Sequence, residues 1–508
     1  MTRTLLSRLA VPLLCVALAS ANAPFQDPEE SSAVVLLPLT EKGEGAPSRA
    51  GLGRTVLLTS IRESDPWWRV VAALREGGIK DKDIVTVRPW DAERVRKALA
   101  KSQPEFAVVV LPPDELDVNM HFELLEQLSK LDGDPFVDVT FGYITGATPE
   151  EAESFARATI AARKARPKRS ILEFGPSTSP APLSGSTAHP WASGFTTRRL
   201  AHAEDERDVA NLLAAAKDVG VLQAWGHGMP PGVDRGLQGR EIRAARLDLF
   251  PALYFSGPCY CGVPGRWFDP SKGAIREAQV APEESFLLAL LGARVSAVFA
   301  GLDPDRGETN HQELEHLLSS GEPLGYATKG TYDDVVLAYR RPELSLPRYA
   351  AEKPDPHRNL AETMIAGGAC RALFGDPSFA PFEKAGESAF EALATAAPKA
   401  IRITWNHEGS IGNYWAPVDV YRADGGWTHR LRFRVPIAVE KARRVSSFRV
   451  LSVTKDGQSL EVGFPTAALE LFGGKAFLHV LIVFPRNEQD RALWNGKQFE
   501  ARFECGTS

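Results

Sequence analysis

The 508-residue sequence predicts an α/β protein, a parallel sheet in two helix-covered sections, with an antiparallel β-sandwich after it. Three observations predict this. Short apolar runs alternate with stretches of 3.6-residue periodicity from Arg54 onward. Strands alternating with helices in this way mean a parallel sheet covered on both faces, Val221 to Trp225 reading as one of its buried strands. Beyond Ala400 the hydrophobic period falls to 2, with Leu431, Phe433 and Val435 set against Arg430, Arg432 and Arg434.

The elements follow in order. Thr55 to Ile61 is the first strand, and Trp67, Val70, Val71 and Leu74 share the face of a helix that Ser64-Asp65-Pro66 opens and Gly77-Gly78 closes. Strands at Ile84 to Val87, Phe106 to Leu111 and Phe136 to Ile144 enclose helices at Ala92 to Lys101 and His121 to Leu131. Thr148 caps the next helix, with Glu151 at the capping-box position. Gly175 to Thr197, rich in Pro, Ser, Gly and Thr, is a long surface loop or linker. After it come a helix, Asp205 to Val219, and two strands that end in reactive side chains: Val221 to Trp225 runs into Gly226-His227-Gly228, and Leu253 to Ser256 into Gly257-Pro258-Cys259. Helix Glu283 to Leu291, strand Val295 to Phe299 and helices around His311 to Leu318 and Gly325 to Tyr339 continue the alternation. A Pro-rich stretch, Pro342 to Pro356, precedes a helix over Leu360 to Leu373. In the last section Asp424-Gly425 and Asp456-Gly457 mark hairpin turns, and the length from Ala400 to Ser508 suits an immunoglobulin-like module. The resulting division is 1–23 signal peptide, 24–53 extension, 54–172 first α/β subdomain, 173–198 linker, 199–384 second α/β subdomain, 385–399 linker and 400–508 β-sandwich.

Arg3 and Arg8 followed by the apolar run Leu9 to Ala19 and Ala21-Asn22-Ala23 form a secretory signal peptide, so export to the periplasm, cell surface or exterior is expected. No later apolar run reaches the roughly 20 residues a membrane span needs, so no span is expected after cleavage. With 59 Lys and Arg against 64 Asp and Glu, the chain lacks the basic footprint of a nucleic-acid binder. Oligomeric state is left open. Beyond Cys15 the cysteines are Cys259, Cys261, Cys370 and Cys505, too few for a disulfide scaffold in a chain of this size. That leaves at least one thiol whose value is its reactivity.

Adjacent parallel strands joined by one crossover place their carboxyl ends side by side, where open α/β sheets build their sites. His227 and Cys259 would then share one rim. A thiol is largely protonated near neutral pH, an imidazole can take its proton, and the thiolate attacks a carbonyl carbon. Glycines beside them let backbone N–H groups approach a developing oxyanion, Gly228 and Cys259 being the natural donors. There is no Gly-x-Ser-x-Gly elbow, phosphate-cradling Gly-rich loop or dinucleotide fingerprint.

At these residues the sequence resembles the gingipain family of the caspase-like (clan CD) cysteine peptidases. The matching segments are the strand ending in His227-Gly228, the strand ending in Cys259-Tyr260-Cys261-Gly262, Leu373-Phe374-Gly375-Asp376-Pro377, and Asp134 to Gly142 with Thr148 to Ala152. The resemblance spans about residues 54 to 508 and implies a caspase-like fold in two subdomains, a Cys259–His227 dyad, an oxyanion hole from Gly228 and Cys259, protein or peptide substrates and no cofactor. This chain departs from the pattern in carrying Pro258 before the Cys and a second thiol, Cys261.

Other readings of the same residues stand beside it: a catalytically inactive relative serving as a secreted binding or assembly protein, inert or disulfide-bonded cysteines, or zinc held by Cys259, Cys261 and His227. Asp303 to Glu308 has partial calcium-loop spacing and reads as a polar turn. Asp138 and Glu173 are the acids that could orient His227.

Overall fold

The computed structural model describes residues 35–36, 53–175, 194–200, 205–234, 236–269, 276–303, 313–314, 317–318, 320–340, 371–383, 390–394, 400–407, 418–421, 427–437, 445–460, 463–473, 475–483 and 497–507. The signal peptide, Pro342 to Pro356, His311, His316, Cys370 and the Asp424-Gly425 turn lie outside them.

Ten strands form one continuous sheet: β1 (Thr55–Thr59), β2 (Ile84–Thr86), β3 (Phe106–Val110), β4 (Thr140–Ile144), β5 (Ser170–Phe174), β6 (Thr196–Leu200), β7 (Val221–Ala224), β8 (Leu253–Ser256), β9 (Ala297–Gly301) and β10 (Arg371–Gly375). Their spatial order is β2-β1-β3-β4-β10-β9-β8-β7-β5-β6, so the two sections expected from sequence are halves of a single sheet joined through β10. Within each half the neighbours are parallel, and β10 runs antiparallel to β9. β2, β1, β3 and β4 enclose α1 (Trp68–Glu76), α2 (Ala92–Leu99) and α3 (Val118–Leu128), and α4 (Pro149–Ala162) leads into β5. The other half carries α5 (Glu206–Ala216), α6 (Gly239–Ala244), α7 (Phe286–Gly292) and α8 (Leu324–Arg340). Helix α1 packs on α4, and α4 on α7, while α2 packs on α3, and α3 on α8, which covers both faces. β3 and β4 are accordingly buried along their whole length.

Helix starts obey capping chemistry, because the first N–H groups of a helix have no intrahelical acceptor. Asp91, Asp117, Asp205 and Ser285 accept from the third residue beyond them. Thr148 does so for Glu151 at 3.2 Å, while the Glu151 carboxylate turns to the Ala147 N–H and to Arg243 of α6, tying α4 to the other half.

Four expectations are corrected. The strand expected at Phe136 starts at Thr140, because Phe136 N–H is taken by Asp134 and Val137 N–H by Asp333. The helix expected over Leu360 to Leu373 ends in strand: Ala372-Leu373-Phe374 is a buried run that β9 pairs on one side. Strands β5 and β6 occupy the two ends of the stretch 173–198, and β6 is exposed along its length, which hid it from an apolar count. Strand Phe390–Ala394 pairs with Ala400–His407, so pairing begins ahead of Ala400.

The remaining strands make two five-stranded sheets. One orders Phe390–Ala394, Ala400–His407, Lys497–Thr507, Val445–Lys455 and Gln458–Ser459, all antiparallel. The other orders Val35–Leu36, Gly463–Phe472, Lys475–Val483, Trp427–Ile437 and Val418–Tyr421, with only the Val35–Leu36 pair parallel. Asp456-Gly457 is the hairpin turn the sequence expects, both residues having positive φ (+47° and +80°).

This second sheet docks on the α/β part through buried charge. Lys329 of α8 is fully buried, its Nζ 2.8 Å from Asp333 and 2.7 Å from Glu470 of strand Gly463–Phe472. Arg434 and His479 also bind Glu470, each at 2.6 Å. Asp134 accepts the Leu471 N–H at 2.8 Å.

Candidate functional site

β7 and β8 are adjacent, parallel and in register, Val221 opposite Leu253 and Ala224 opposite Ser256. The two chains therefore leave the sheet at the same level. Pairing persists one step further, Gly257 N–H donating to the Ala224 carbonyl at 2.9 Å. Gly226 then takes φ +105°, a conformation that a side chain would strain, and turns the chain so that His227 is exposed.

The segment after β8 is pinned to β9. Tyr260 N–H donates to the Asp303 carbonyl at 3.2 Å and Gly262 N–H to the Gly301 carbonyl at 2.8 Å. Tyr260 holds φ +56°, an unusual value for a bulky residue, and its ring is kept by an edge contact with Trp267 at 4.9 Å. A Cβ on Gly262 would lie 2.9 Å from the Ala300 and Gly301 carbonyls, so the turn requires glycine there. Asp303, in the stretch with calcium-loop spacing, thus follows β9 and serves the turn with its backbone.

The two segments meet at Gly228. A Cβ there would sit 2.6 Å from Pro258 Cβ and 2.7 Å from both the Cys259 carbonyl oxygen and Cys261 Sγ. Gly228 opposes Val233 in a short hairpin, Gly228–Met229 with Gly232–Val233, whose bond at that level runs from Asp234 N–H to the His227 carbonyl. In an antiparallel ladder that makes Gly228 and Val233 a non-hydrogen-bonded pair, and the Gly228 N–H points away from the hairpin. Cys259 is half-buried beside Tyr260, Val263, Trp267 and Val280, whereas Cys261 is completely buried, and neither is in a disulfide. Thus the structure sets Gly228, the neighbour of His227, directly against Cys259 and places Cys261 on the core side. Gly228→Ala is expected to force the two segments apart and to destabilise the fold by about 1–3 kcal/mol, read as a lowered midpoint in a thermal melt.

The two acids considered as partners of His227 separate. Asp138 precedes β4 and accepts the Leu131 N–H, beside Asp132 and Asp134, three carboxyls whose ligand atoms all lie within 4.8 Å of one another. Burial first, then mutual repulsion, raises Asp134 and Asp138 well above the ordinary range. That cluster is at the amino end of β4, whereas His227 follows the carboxyl end of β7. Glu173 lies on β5, opposite Gln223 of β7, and is fully buried. Among the described residues its carboxyl oxygens and the Gln223 amide have no hydrogen-bond partner, so Glu173 makes no hydrogen bond to His227. Burial pushes the Glu173 carboxyl up to about 7, with Arg199 pulling the other way. Gln223 went unnoticed in the sequence, although an amide within Val221-Leu222-Gln223-Ala224 is the signal that marks it.

The Glu173 carboxyl gives stability a pH dependence. Below the unfolded value near 4.5 it is protonated in both states. As pH rises from there to about 7 the unfolded chain ionises first, so folding stability falls through that window and levels off above it. Glu173→Gln is expected to remove this fall, raising the melting temperature at pH 8 and leaving it unchanged at pH 4.

Contacts beyond the strand ends join the two halves. Arg266, beyond Cys259, pairs with Asp117, beyond β3, and Gly265 lies against the Pro113 carbonyl. At the other edge Thr140, which starts β4, lies against Gly325, whose N–H donates to the carbonyl of Pro377 beyond β10.

No family model matches the sequence, and no curated protein matches it. Among solved structures the chain is similar to the complex of the pro- and mature domains of RgpB from Porphyromonas gingivalis, at 12% identity over 85% of this chain and 97% of that one, with a TM-score of 0.41. It is also similar to the Arg-specific cysteine proteinase gingipain R (RgpB), at 13% identity over 88% and 97%, TM-score 0.42. A third structure, described as a protease, gives 10% identity over 86% and 95%, TM-score 0.39. Likeness of this extent leaves function to be argued from the residues of the site. Among the described residues no helix is long and apolar enough to cross a membrane.

Proposed function

We propose that this chain is an exported, gingipain-like cysteine endopeptidase that cleaves protein or peptide substrates, its C-terminal strands forming an immunoglobulin-like module. The observation that carries the reading is the meeting of the His227 and Cys259 segments at Gly228, at the carboxyl ends of two registered parallel strands. His227 takes the Cys259 proton, and the Sγ attacks the scissile carbonyl carbon to give a tetrahedral oxyanion, stabilised by the Gly228 and Cys259 N–H groups. Collapse expels the amine, which His227 protonates, and leaves a thioester on Cys259. Water, deprotonated by His227, then attacks the thioester and restores the thiol.

The distribution of the two thiols supports Cys259 as the nucleophile, since it is half-buried and Cys261 is completely buried. The extra thiol therefore acts in packing beneath Gly228. The test is hydrolysis of a panel of peptides varied at the residue before the scissile bond, under reducing conditions. Turnover of at least one member, abolished by alkylating Cys259, is expected. Absence of turnover across the panel rejects the peptidase and leaves an exported binding protein.

A further inference from the structure

We propose that the first half of the sheet carries a second binding site, at the carboxyl ends of β1 and β3, for a small organic oxyanion attached to a planar ring. In the order β2-β1-β3-β4 the chain leaves β1 toward one side and β3 toward the other, and α1 and α3 belong to opposite helical layers. Open α/β sheets form a crevice at such a reversal, outside the carboxyl ends of the strands, and bind ligands there. An open cleft of about 550 Å³ lies at this place, lined by Ser60, Arg62, Arg88, Pro89, Trp90 and Glu115. Its volume is that of a small-molecule site.

The lining is rich in donors. Arg88 is fixed by the loop after β1, its Nε donating to the Ser60 carbonyl at 2.6 Å and its Nη2 to the Ile61 carbonyl, which holds the guanidinium in place for a ligand. Arg62 is exposed and makes no ion pair among the described residues. Trp90 is half-buried at the wall of the cleft, with its ring in the lining. Two guanidiniums suit an oxyanion, since Arg presents a planar fork that matches carboxylate and phosphate. Pro89 and the Trp90 ring provide a flat apolar wall for a ring. Glu115, which already accepts the Ser60 hydroxyl at 2.7 Å, adds an acceptor for ligand hydroxyls.

This site is remote from Cys259. β3 and β8 are four strand spacings apart, roughly 20 Å at about 4.8 Å each, so binding needs no contribution from the dyad.

The test is calorimetric titration of the full chain with adenosine monophosphate and with phenylphosphate, with inorganic phosphate and adenosine as controls. Saturable one-to-one binding of at least one of the two ring-bearing anions is expected, tighter than for either control. Preference for adenosine monophosphate identifies a nucleotide, and preference for phenylphosphate a simpler aryl anion. Arg62→Ala, on an exposed side chain, is expected to weaken binding about tenfold, the scale of one charge-assisted contact. Trp90→Ala removes the apolar wall and is expected to weaken binding of the ring-bearing anions several-fold while leaving inorganic phosphate unaffected. Failure of both anions to bind, or affinity unchanged by Arg62→Ala, overturns the assignment, as does inorganic phosphate or adenosine binding equally well.

Discussion

Replacing Cys259 by alanine is expected to lower kcat for peptide hydrolysis by at least about 10⁴-fold while leaving the fold intact, because removing a nucleophile leaves only binding and oxyanion stabilisation. The fold should persist because Cys259 is only half-buried, at the edge of the cluster of Tyr260, Val263, Trp267 and Val280, and a small residue of similar shape replaces it. Cys261 cannot take its place. It is completely buried on the core side of Gly228, where a substrate carbonyl has no approach. Cys261→Ala should therefore retain turnover within a few-fold and lose stability instead, by about 1–2 kcal/mol for the buried sulfur. Steady-state kinetics and thermal melts of both variants check this. Equal loss of activity in the two would mean that packing of the turn, rather than the Cys259 thiolate, is what catalysis needs.

The second large effect concerns the joint between the α/β part and the C-terminal strands. Lys329→Met is expected to destabilise the protein by about 3–5 kcal/mol, the cost of breaking a buried ion pair from one side. Burial works to discharge Lys329, but Asp333 and Glu470 outweigh it and hold the ammonium group above its ordinary value. Burial likewise works to raise Glu470, yet Arg434, Lys329 and His479 keep it well below the usual carboxylate range. Without the ammonium group, Asp333 keeps, among the described residues, the Val137 N–H at 2.9 Å as its partner and is left as a buried charge that must protonate. Urea titration of the mutant gives the difference. Lys97→Met provides the contrast, since its pair with Glu93 is exposed and screened by solvent, so the urea midpoint is expected to stay nearly unchanged. Equal shifts in the two would show that the buried cluster is solvated in solution and contributes no docking energy.

Legibility in the sequence followed burial. Leu253–Ser256 lies where its apolar run ends, because a strand covered on both faces must be apolar throughout and Gly257-Pro258 cannot continue it. The relation of His227 to Cys259 was legible for the same reason: each follows such a run, and parallel strands joined by a crossover end on one rim. β6 was not, because Thr196-Thr197-Arg198-Arg199-Leu200 is an exposed edge strand whose pairing comes from its backbone. The segment Arg371 to Gly375 reads equally as helix or strand, since a short apolar run carries no period, and only its neighbour β9 decides. The strand expected at Phe136 was lost to aspartates: Asp134 and Asp333 take the N–H groups that a ladder would use. The partners of Lys329 were beyond reach, as Asp333 is one helical turn away but Glu470 lies in a different sheet.

Activation of the Cys259 thiol by His227 is the central proposal, and covalent trapping tests it most directly. A peptidyl acyloxymethyl ketone reacts with an activated thiolate, and the adduct can be placed by mass spectrometry of the digested chain. A single adduct on Cys259, forming at least about 100-fold more slowly in His227→Ala, is the predicted result. An adduct on Cys261, Cys370 or Cys505, or one on Cys259 that forms equally fast without His227, would contradict it.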